Sequence, residues 1–150
     1  AVKRIYDIKK RADNKSMLVL LDDAGKIASY ADVPDIALDL IEVADKPTTI
    51  IYPGAKRLAP NLIAEDGTIG IRITREEFTR SLIFRYNKPI VSTSANISGE
   101  PSPHFFGEIS EEIKNAVDYI VDYRRNDHNP AAPSSIIKLG MGGEIQIIRK

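Results

Sequence analysis

Apolar residues along the chain fall into short continuous runs and into positions at helical spacing. Val2, Ile5, Tyr6 and Ile8 recur at the spacing of one helix face. Residues 17–21 form a fully apolar run of strand length, which predicts a central strand. By the same criteria we predict further strands at 48–52, 68–73, 89–91, 119–121, 134–139 and 144–148, and helices at 32–43, 59–64, 74–86 and from 110 onward. This alternation predicts an α/β fold.

Polar residues mark where some of these elements begin. Thr74 and Glu77 have the spacing of a capping box, which predicts the start of the helix that runs to Tyr86. Glu111 and Glu112 follow Ser110, and acidic side chains there favour the positive end of a helix dipole.

Composition limits the class of protein. The chain has 150 residues, of which 43% are hydrophobic, and this suits one globular domain with a core. Its 21 basic and 21 acidic residues create no net field toward nucleic acid or an anionic membrane. Since the sequence contains neither an apolar run of about 18 residues nor a signal peptide, we expect a soluble, cytoplasmic protein without a membrane partner.

The chain has no cysteine, which excludes disulfides, a thiol nucleophile and the usual structural zinc sites. His104 and His128 are far apart in sequence, so we expect no protein metal site. The chain also begins inside a helical pattern at Ala1. We therefore expect that an N-terminal piece is missing, although a trimmed chain explains the start equally well.

The segment 89–103 carries the strongest chemical signal. A short apolar strand runs into small hydroxyl and amide side chains, which bind oxygen-rich ligands without keeping a phosphate or carboxylate from the backbone N–H groups. The alternative interpretation is an ordinary polar loop, because serine, asparagine, glycine and proline also gather in turns.

Three cations suggest anion binding. Lys9 and Arg11 follow the first helix and suit a polyphosphate, but basic residues at a helix end also stabilise the helix dipole. Arg72 alternates with isoleucines on a predicted strand, so its guanidinium meets either a bound anion or an internal carboxylate.

Lys9-x-Arg11 followed by Ser94-x-Asn96, with residues 70–73 between them and 133–137 after them, resembles the signature of the YrdC/Sua5 family, the L-threonylcarbamoyladenylate synthases. The resemblance covers essentially the whole chain. It implies one YrdC-like domain over residues 1–150, with a twisted, mostly parallel mixed sheet flanked by helices around a positively lined cavity.

The resemblance implies a nucleotidyltransferase that condenses L-threonine, bicarbonate or carbon dioxide and ATP into threonylcarbamoyl-AMP and pyrophosphate. ATP is a substrate, and Mg²⁺ is held largely by its oxygens and by water. The reaction needs no protein nucleophile, so no side chain is assigned as catalytic; the protein positions reactants and stabilises charge. A transferase complex then carries the product to tRNA.

The resemblance also assigns binding residues. Those expected to bind ATP and its phosphates are Lys9, Arg11, Lys15, Thr68, Ser94, Asn96, Ser102 and Arg149. Those expected to bind threonine are Arg72, through the threonine carboxylate, Ser92 and Ser134.

The chain departs from the family pattern in several places. The family's N-terminal Pro-Thr-Asp-Thr-Val-Tyr-Gly-like motif is not present, and without it we expect impaired activity. Ala12, Leu20 and Thr74 stand where the family often has proline, histidine and proline. The usual Pro-Gly-Pro-x-Thr keeps only Pro47 and Thr49. These changes bear more on threonine selectivity than on the phosphate site.

Two other functions fit the same resemblance. One is a non-catalytic module that binds double-stranded RNA, which the balanced charge argues against as a primary role. The other is a carbamoyl-adenylate enzyme of hydrogenase maturation, which predicts a larger parent chain with zinc-finger cysteines that do not occur here.

Overall fold

A computed structural model of the chain describes residues 1–12, 17–130 and 132–150. These residues fall into two compact units. The larger unit takes residues 17–92 and 134–150, and the smaller unit takes residues 1–12, 93–130, 132 and 133.

The larger unit is built on a six-stranded sheet in the order β4-β1-β3-β2-β5-β6. Its strands are β1 (Leu18–Leu21), β2 (Thr48–Tyr52), β3 (Ile69–Ile73), β4 (Ile90–Ser92), β5 (Ser135–Leu139) and β6 (Ile145–Arg149). Each lies within a residue or two of a strand predicted from the sequence, because continuous apolar or β-branched runs specify buried strands well.

The sheet is mixed. Both edge pairings, β4 with β1 and β6 with β5, are antiparallel. Of the three interior pairings, β1–β3 and β2–β5 are parallel and β2–β3 is antiparallel. The predicted α/β class and mixed sheet are confirmed, and the parallel pairing is confined to the sheet interior.

The apolar core of the larger unit lies along the middle strands. Val19, Leu21, Ile50, Ile69 and Ile71 are almost completely buried. Burial of such side chains contributes about 1.5–3 kcal/mol each. The buried interior strands therefore hold the polar residues at their ends in defined positions.

Two α-helices belong to the larger unit, α2 (Ile36–Val43) and α3 (Glu77–Tyr86). The helix α2 begins four residues later than the predicted 32–43. Short 3₁₀ helices lie at Ala24–Ser29 and Pro60–Leu62, the second within the predicted helix 59–64.

The predicted capping box of α3 is wrong. Glu76 is the N-cap, and its carboxylate accepts hydrogen bonds from the backbone N–H groups of Phe78 and Thr79. Thr74 is not the cap because α3 begins only at Glu77; Thr74 still follows the strand, and its N–H donates to Leu21 O at 2.9 Å, which extends the pairing of β3 with β1. The buried residue of α3 is Ile83, while Phe78 stays partly exposed.

The smaller unit contains α1 (Val2–Lys9), α4 (Glu111–Ala116) and a 3₁₀ turn at Phe106–Glu108. Ser110 caps α4 by accepting from Ile113 N, and the helix begins within one residue of the predicted start at 110. The predicted strand 119–121 is wrong: residues 117–121 are irregular and Tyr119 is exposed. Alternating apolar residues need a pairing partner to form a strand, and here no strand pairs with them.

Among the helices described by the structure, none is both long and apolar enough to cross a lipid bilayer.

Candidate functional site

Lys9 ends α1 and turns its side chain inward. Only 3% of the residue is exposed. Its Nζ donates to Asn96 O at 2.6 Å, to Asn96 Oδ1 at 3.3 Å and to Ser94 O. In return, Ser98 N donates to Lys9 O at 2.8 Å. The two halves of the sequence signature, more than eighty positions apart, therefore meet within the smaller unit.

Asn96 links the end of α1 to the residues that follow it in its own loop. Its Oδ1 accepts from Lys9, and its Nδ2 donates to Glu100 O at 2.7 Å. Gly99 adopts a φ of 90°, which glycine reaches without the steric penalty of other residues. The Ser94 residue is exposed. The loop thus holds its shape through Asn96 and leaves Ser94 at the surface.

Arg11 lies close enough to Lys9 for the two charges to interact. Burial, and after it the positive charge of Arg11, lower the pKa of the Lys9 ammonium. Two cations side by side form a local positive site within a chain of zero net charge, which is the electrostatic condition for binding an anion.

Arg72 lies on β3, opposite Leu20 of β1, and is half-buried. Burial, and after it the charge of Arg149, lower the pKa of its guanidinium. Within the described ranges, no carboxylate approaches the Arg72 guanidinium within 4.0 Å and no hydrogen bond satisfies it. Of the two partners considered for Arg72, the internal carboxylate has no candidate in this part of the chain.

A cavity of about 340 Å³ opens beside Arg72 in the larger unit. Its lining includes apolar side chains of the central strands, Ile50 and Ile71, and the turn residues Pro47 and Thr48. A volume of this size lies at the lower end of the range for small-molecule sites. The lining also includes the charged residues Asp45, Lys46, Arg75 and Glu76. Because the Arg72 guanidinium has no protein partner among the described residues, the cavity is suited to a small ligand that carries a carboxylate.

Arg149 and Ser134 are brought together at one end of the same sheet. The Arg149 guanidinium donates to Ser134 O through Nε at 2.9 Å and through Nη2 at 2.7 Å. Ser134 Oγ lies 2.9 Å from Thr49 Oγ1, and the two residues are 4% and 2% exposed. Arg149, predicted to bind ATP, therefore contacts Ser134 and lies near Arg72, two residues that were predicted to bind threonine.

Four further residues were predicted to belong to the site: Ser92, Ser102, Lys15 and Thr68. Ser92 ends β4 and is half-buried, and Ser102 is exposed in an irregular segment. Lys15 lies outside the described residues. Thr68 is buried, and its hydroxyl donates to Asp66 Oδ1 at 2.6 Å, so its polar group is used internally.

Asp66 also accepts from Lys138 Nζ at 2.5 Å. These hydrogen bonds, first from Lys138 and then from Thr68, lower the pKa of Asp66 to about 2 from 3.8. A lowered carboxyl pKa stabilises the fold above the unfolded value, so this contribution is complete above about pH 4 and is lost as the pH falls toward 2.

Lys138→Met is therefore expected to reduce the free energy of unfolding at pH 7 and to have only a small remaining effect near pH 2, where half of Asp66 is protonated in the folded protein. The pair is partly exposed, so the loss at pH 7 should be below about 1 kcal/mol. Urea unfolding of both proteins at the two pH values measures it. An equal loss at both would show that Lys138 stabilises the fold through packing instead.

The whole chain matches a known family. The family model described as "Telomere recombination", Sua5_yciO_yrdC, matches residues 1–150. The chain belongs to the Sua5/YciO/YrdC family.

Individual members support this assignment. A Methanocaldococcus jannaschii protein named "Putative threonylcarbamoyl-AMP synthase" is 39% identical over 140 residues, which cover 93% of this chain and 64% of that protein. A Pseudoalteromonas translucida protein named "Threonylcarbamoyl-AMP synthase" is 28% identical over 149 residues, covering 97% of this chain and 78% of that one. A solved structure of P. abyssi Sua5 is 25% identical with a TM-score of 0.80, covering 99% of this chain and 45% of its own.

The chain thus spans less than two thirds of the Methanocaldococcus jannaschii relative and less than half of the Sua5 structure.

One residue near the site was missed as a site residue by the sequence reasoning. In the sequence, Thr49 was treated only as a strand residue and as one of the two residues kept from the Pro-Gly-Pro-x-Thr pattern that the resemblance implies. In the structure its hydroxyl contacts the hydroxyl of Ser134. Its retention in a motif that is otherwise altered was the available signal.

Proposed function

We propose that this chain provides the substrate-binding domain of a threonylcarbamoyl-AMP synthase, a nucleotidyltransferase that joins L-threonine, bicarbonate or carbon dioxide, and ATP. The observation that carries the proposal is Arg72, a half-buried guanidinium beside a cavity with no carboxylate within 4.0 Å among the described residues. The names of the two curated relatives support the same activity.

Residues 1–150 would correspond to one YrdC-like domain. Support comes from the family model, which matches all of these residues, and from the Sua5 structure, whose match covers 99% of the chain. We assign no separate function to either compact unit on its own.

The proposed chemistry needs positioning rather than a nucleophilic side chain. The threonine amine attacks the carbon of carbon dioxide, releasing a proton to solvent, or the carbon of bicarbonate, releasing water, and a carbamate forms. A carbamate oxygen then attacks the α-phosphorus of ATP. The bond between the α-phosphorus and the bridging oxygen breaks, and pyrophosphate leaves. Because the negative charge is spread over phosphate oxygens, fixed cations and hydroxyls are the groups that lower the barrier.

Within this proposal, each group of residues has one task. Arg72 pairs with the threonine carboxylate, with Ser134 and Ser92 near the same ligand. The group formed by Lys9, Arg11, Ser94 and Asn96 serves the phosphates of ATP: Arg11, Ser94 and Asn96 contact them, and Lys9 holds Ser94 and Asn96 through its hydrogen bonds. Thr68, Ser102, Lys15 and Arg149 are assigned to the nucleotide from the resemblance, and for Thr68 the bond to Asp66 argues for an indirect contribution.

Mg²⁺ would accompany ATP and neutralise its phosphates. Among the described residues, no group of three or more histidine or acidic side chains could hold a metal ion. This chemistry fits a cation held mainly by phosphate oxygens and water.

tRNA enters the proposal as the final acceptor, reached through a separate transferase complex, and the place of action would be the cytoplasm, where these substrates occur. Direct binding of double-stranded RNA is the weaker alternative because the 21 basic and 21 acidic residues give no net attraction to phosphate.

The protein is expected to release pyrophosphate from ATP and Mg²⁺ only when both L-threonine and bicarbonate are present. L-Valine is the matched control because it has a similar shape without the hydroxyl. Release is followed by a coupled phosphate assay. A rate that is the same with and without threonine would overturn the substrate assignment.

A further inference from the structure

All three N–H donors of the Lys9 ammonium have an acceptor inside the protein. A lysine ammonium has three donors and no acceptor. Here they point to Ser94 O, Asn96 O and Asn96 Oδ1, the second at 2.6 Å and the third at 3.3 Å. A lysine in this state has no donor left for a phosphate oxygen.

The burial of the Lys9 side chain also indicates that it does not contact a ligand. Lys9 is 3% exposed, although lysine is among the residues least often buried. Taking an ammonium out of water is costly unless hydrogen bonds replace its hydration, and the lowered pKa of Lys9 agrees with that cost. The neighbouring Lys10 behaves in the ordinary way: it is exposed and pairs with Glu112 at 2.6 Å.

The backbone of Lys9, as well as its side chain, contacts the segment that contains Ser94 and Asn96. Lys10 adopts a left-handed conformation, with φ 50° and ψ 40°, and ends α1 at this point. Ser98 N donates to Lys9 O at 2.8 Å. Lys9 therefore donates hydrogen bonds to residues 94–98 and also accepts one from them. These residues are here named the 94–98 loop.

Asn96 extends the connection. Its amide accepts from Lys9 and donates to Glu100 O at 2.7 Å, while Glu100 N donates to Ile97 O at 3.0 Å. The conformation of the loop is therefore set by contacts that begin at the Lys9 ammonium, and the exposed Ser94 is presented by that loop.

We propose that Lys9 is a positioning residue: its buried ammonium fixes the backbone of the 94–98 loop, and it affects nucleotide binding only through that loop. The first part concerns the ligand-free protein. The second part rests on the proposed function, because it requires that the loop binds ATP.

Amide hydrogen exchange of the ligand-free protein tests the first part. Lys9→Met keeps the length of the side chain and removes its three donors. We expect the amides of Ser98 and Glu100 to exchange about tenfold faster or more, while those of β1 and β3 are unchanged. Lys10→Met, which removes the same charge one residue away, is the control and should leave the loop amides as they are. Unchanged exchange in Lys9→Met would overturn the proposal.

Chemical rescue tests the second part. Because the chain has no cysteine, Lys9→Cys can be alkylated with 2-bromoethylamine in denaturant and refolded, which restores an ammonium at that position alone. We expect this protein to recover both loop protection and ATP affinity, whereas Lys9→Arg recovers neither because a planar guanidinium cannot fill a buried ammonium site. Full ATP affinity in Lys9→Arg would indicate direct phosphate contact and contradict the proposal.

A measurement on the unaltered protein covers the case in which the variants do not fold. The ¹⁵Nζ ammonium signal of Lys9 should be visible by NMR in the ligand-free protein, because buried, hydrogen-bonded protons exchange slowly. Its loss to rapid solvent exchange would overturn the proposal. If the unaltered protein does not bind ATP at all, the proposed function fails while the exchange and NMR results still decide whether Lys9 holds the loop.

Discussion

Arg72→Met is expected to weaken the affinity for L-threonine by about ten- to a hundredfold without loss of folding stability. A charge-assisted hydrogen bond contributes about 1.5–3 kcal/mol, which corresponds to that range. The fold should not suffer because burial and the charge of Arg149 already disfavour the Arg72 guanidinium. Removing it relieves both costs, so the free energy of unfolding should stay the same or rise. Calorimetric titration with threonine, with and without ATP, and urea unfolding measure the two quantities.

Arg75→Met provides a control with the opposite expected result. Arg75 lines the same cavity, but its guanidinium donates to Ile41 O at 2.8 Å and Ala44 O at 2.9 Å, the carbonyls at the end of α2. Its loss should lower stability by about 1 kcal/mol and leave threonine affinity nearly unchanged. If instead Arg72→Met loses stability and keeps threonine affinity, Arg72 is a structural residue and the proposed substrate site is wrong.

The strands of the fold could be predicted from the sequence because their signal is local. An apolar run such as residues 17–21 must be buried, and a strand is the short element that buries it on both faces. The errors arise where a contact with a residue distant in sequence, or the lack of such a contact, determines the local structure. Thr74 is a residue type that caps helices, but its backbone still pairs with Leu21 of β1, so the helix begins later and Glu76 is its cap. Residues 119–121 have strand composition without a neighbouring strand in the described sheet.

The candidate site shows the same difference between what the local sequence predicts and what distant contacts determine. Residue types, their order and the family resemblance led to the prediction of Lys9, Arg72 and Asn96 as site residues, and their roles with ligands stay a prediction. The direction of each side chain was not available. Lys9 turns inward at the point where Lys10 adopts a left-handed conformation, which is uncommon for lysine and has no local signature in the sequence. Charge and spacing alone could not separate a lysine that holds a loop from one that holds a ligand.

Arg11→Ala and Asn96→Ala are both expected to weaken ATP binding, by about tenfold or more, while leaving the protein folded. They should differ in how they do so. Arg11→Ala removes a positive charge, so the salt dependence of ATP binding should become shallower. It should also raise the pKa of Lys9, because one of the two causes that lower that pKa is removed.

Asn96→Ala removes no charge and should leave the salt dependence as it is. It takes away an acceptor of Lys9 and the bond to Glu100 O, so its effect should come from a loosened loop and show as faster amide exchange there. Arg4→Ala is the matched control, because it removes an arginine from α1 whose guanidinium pairs with Asp118 at 2.7 Å and is not part of the group. Calorimetry at two salt concentrations separates the three variants. Since one variant acts through charge and the other through loop geometry, unchanged ATP affinity in both would leave the phosphate site without support.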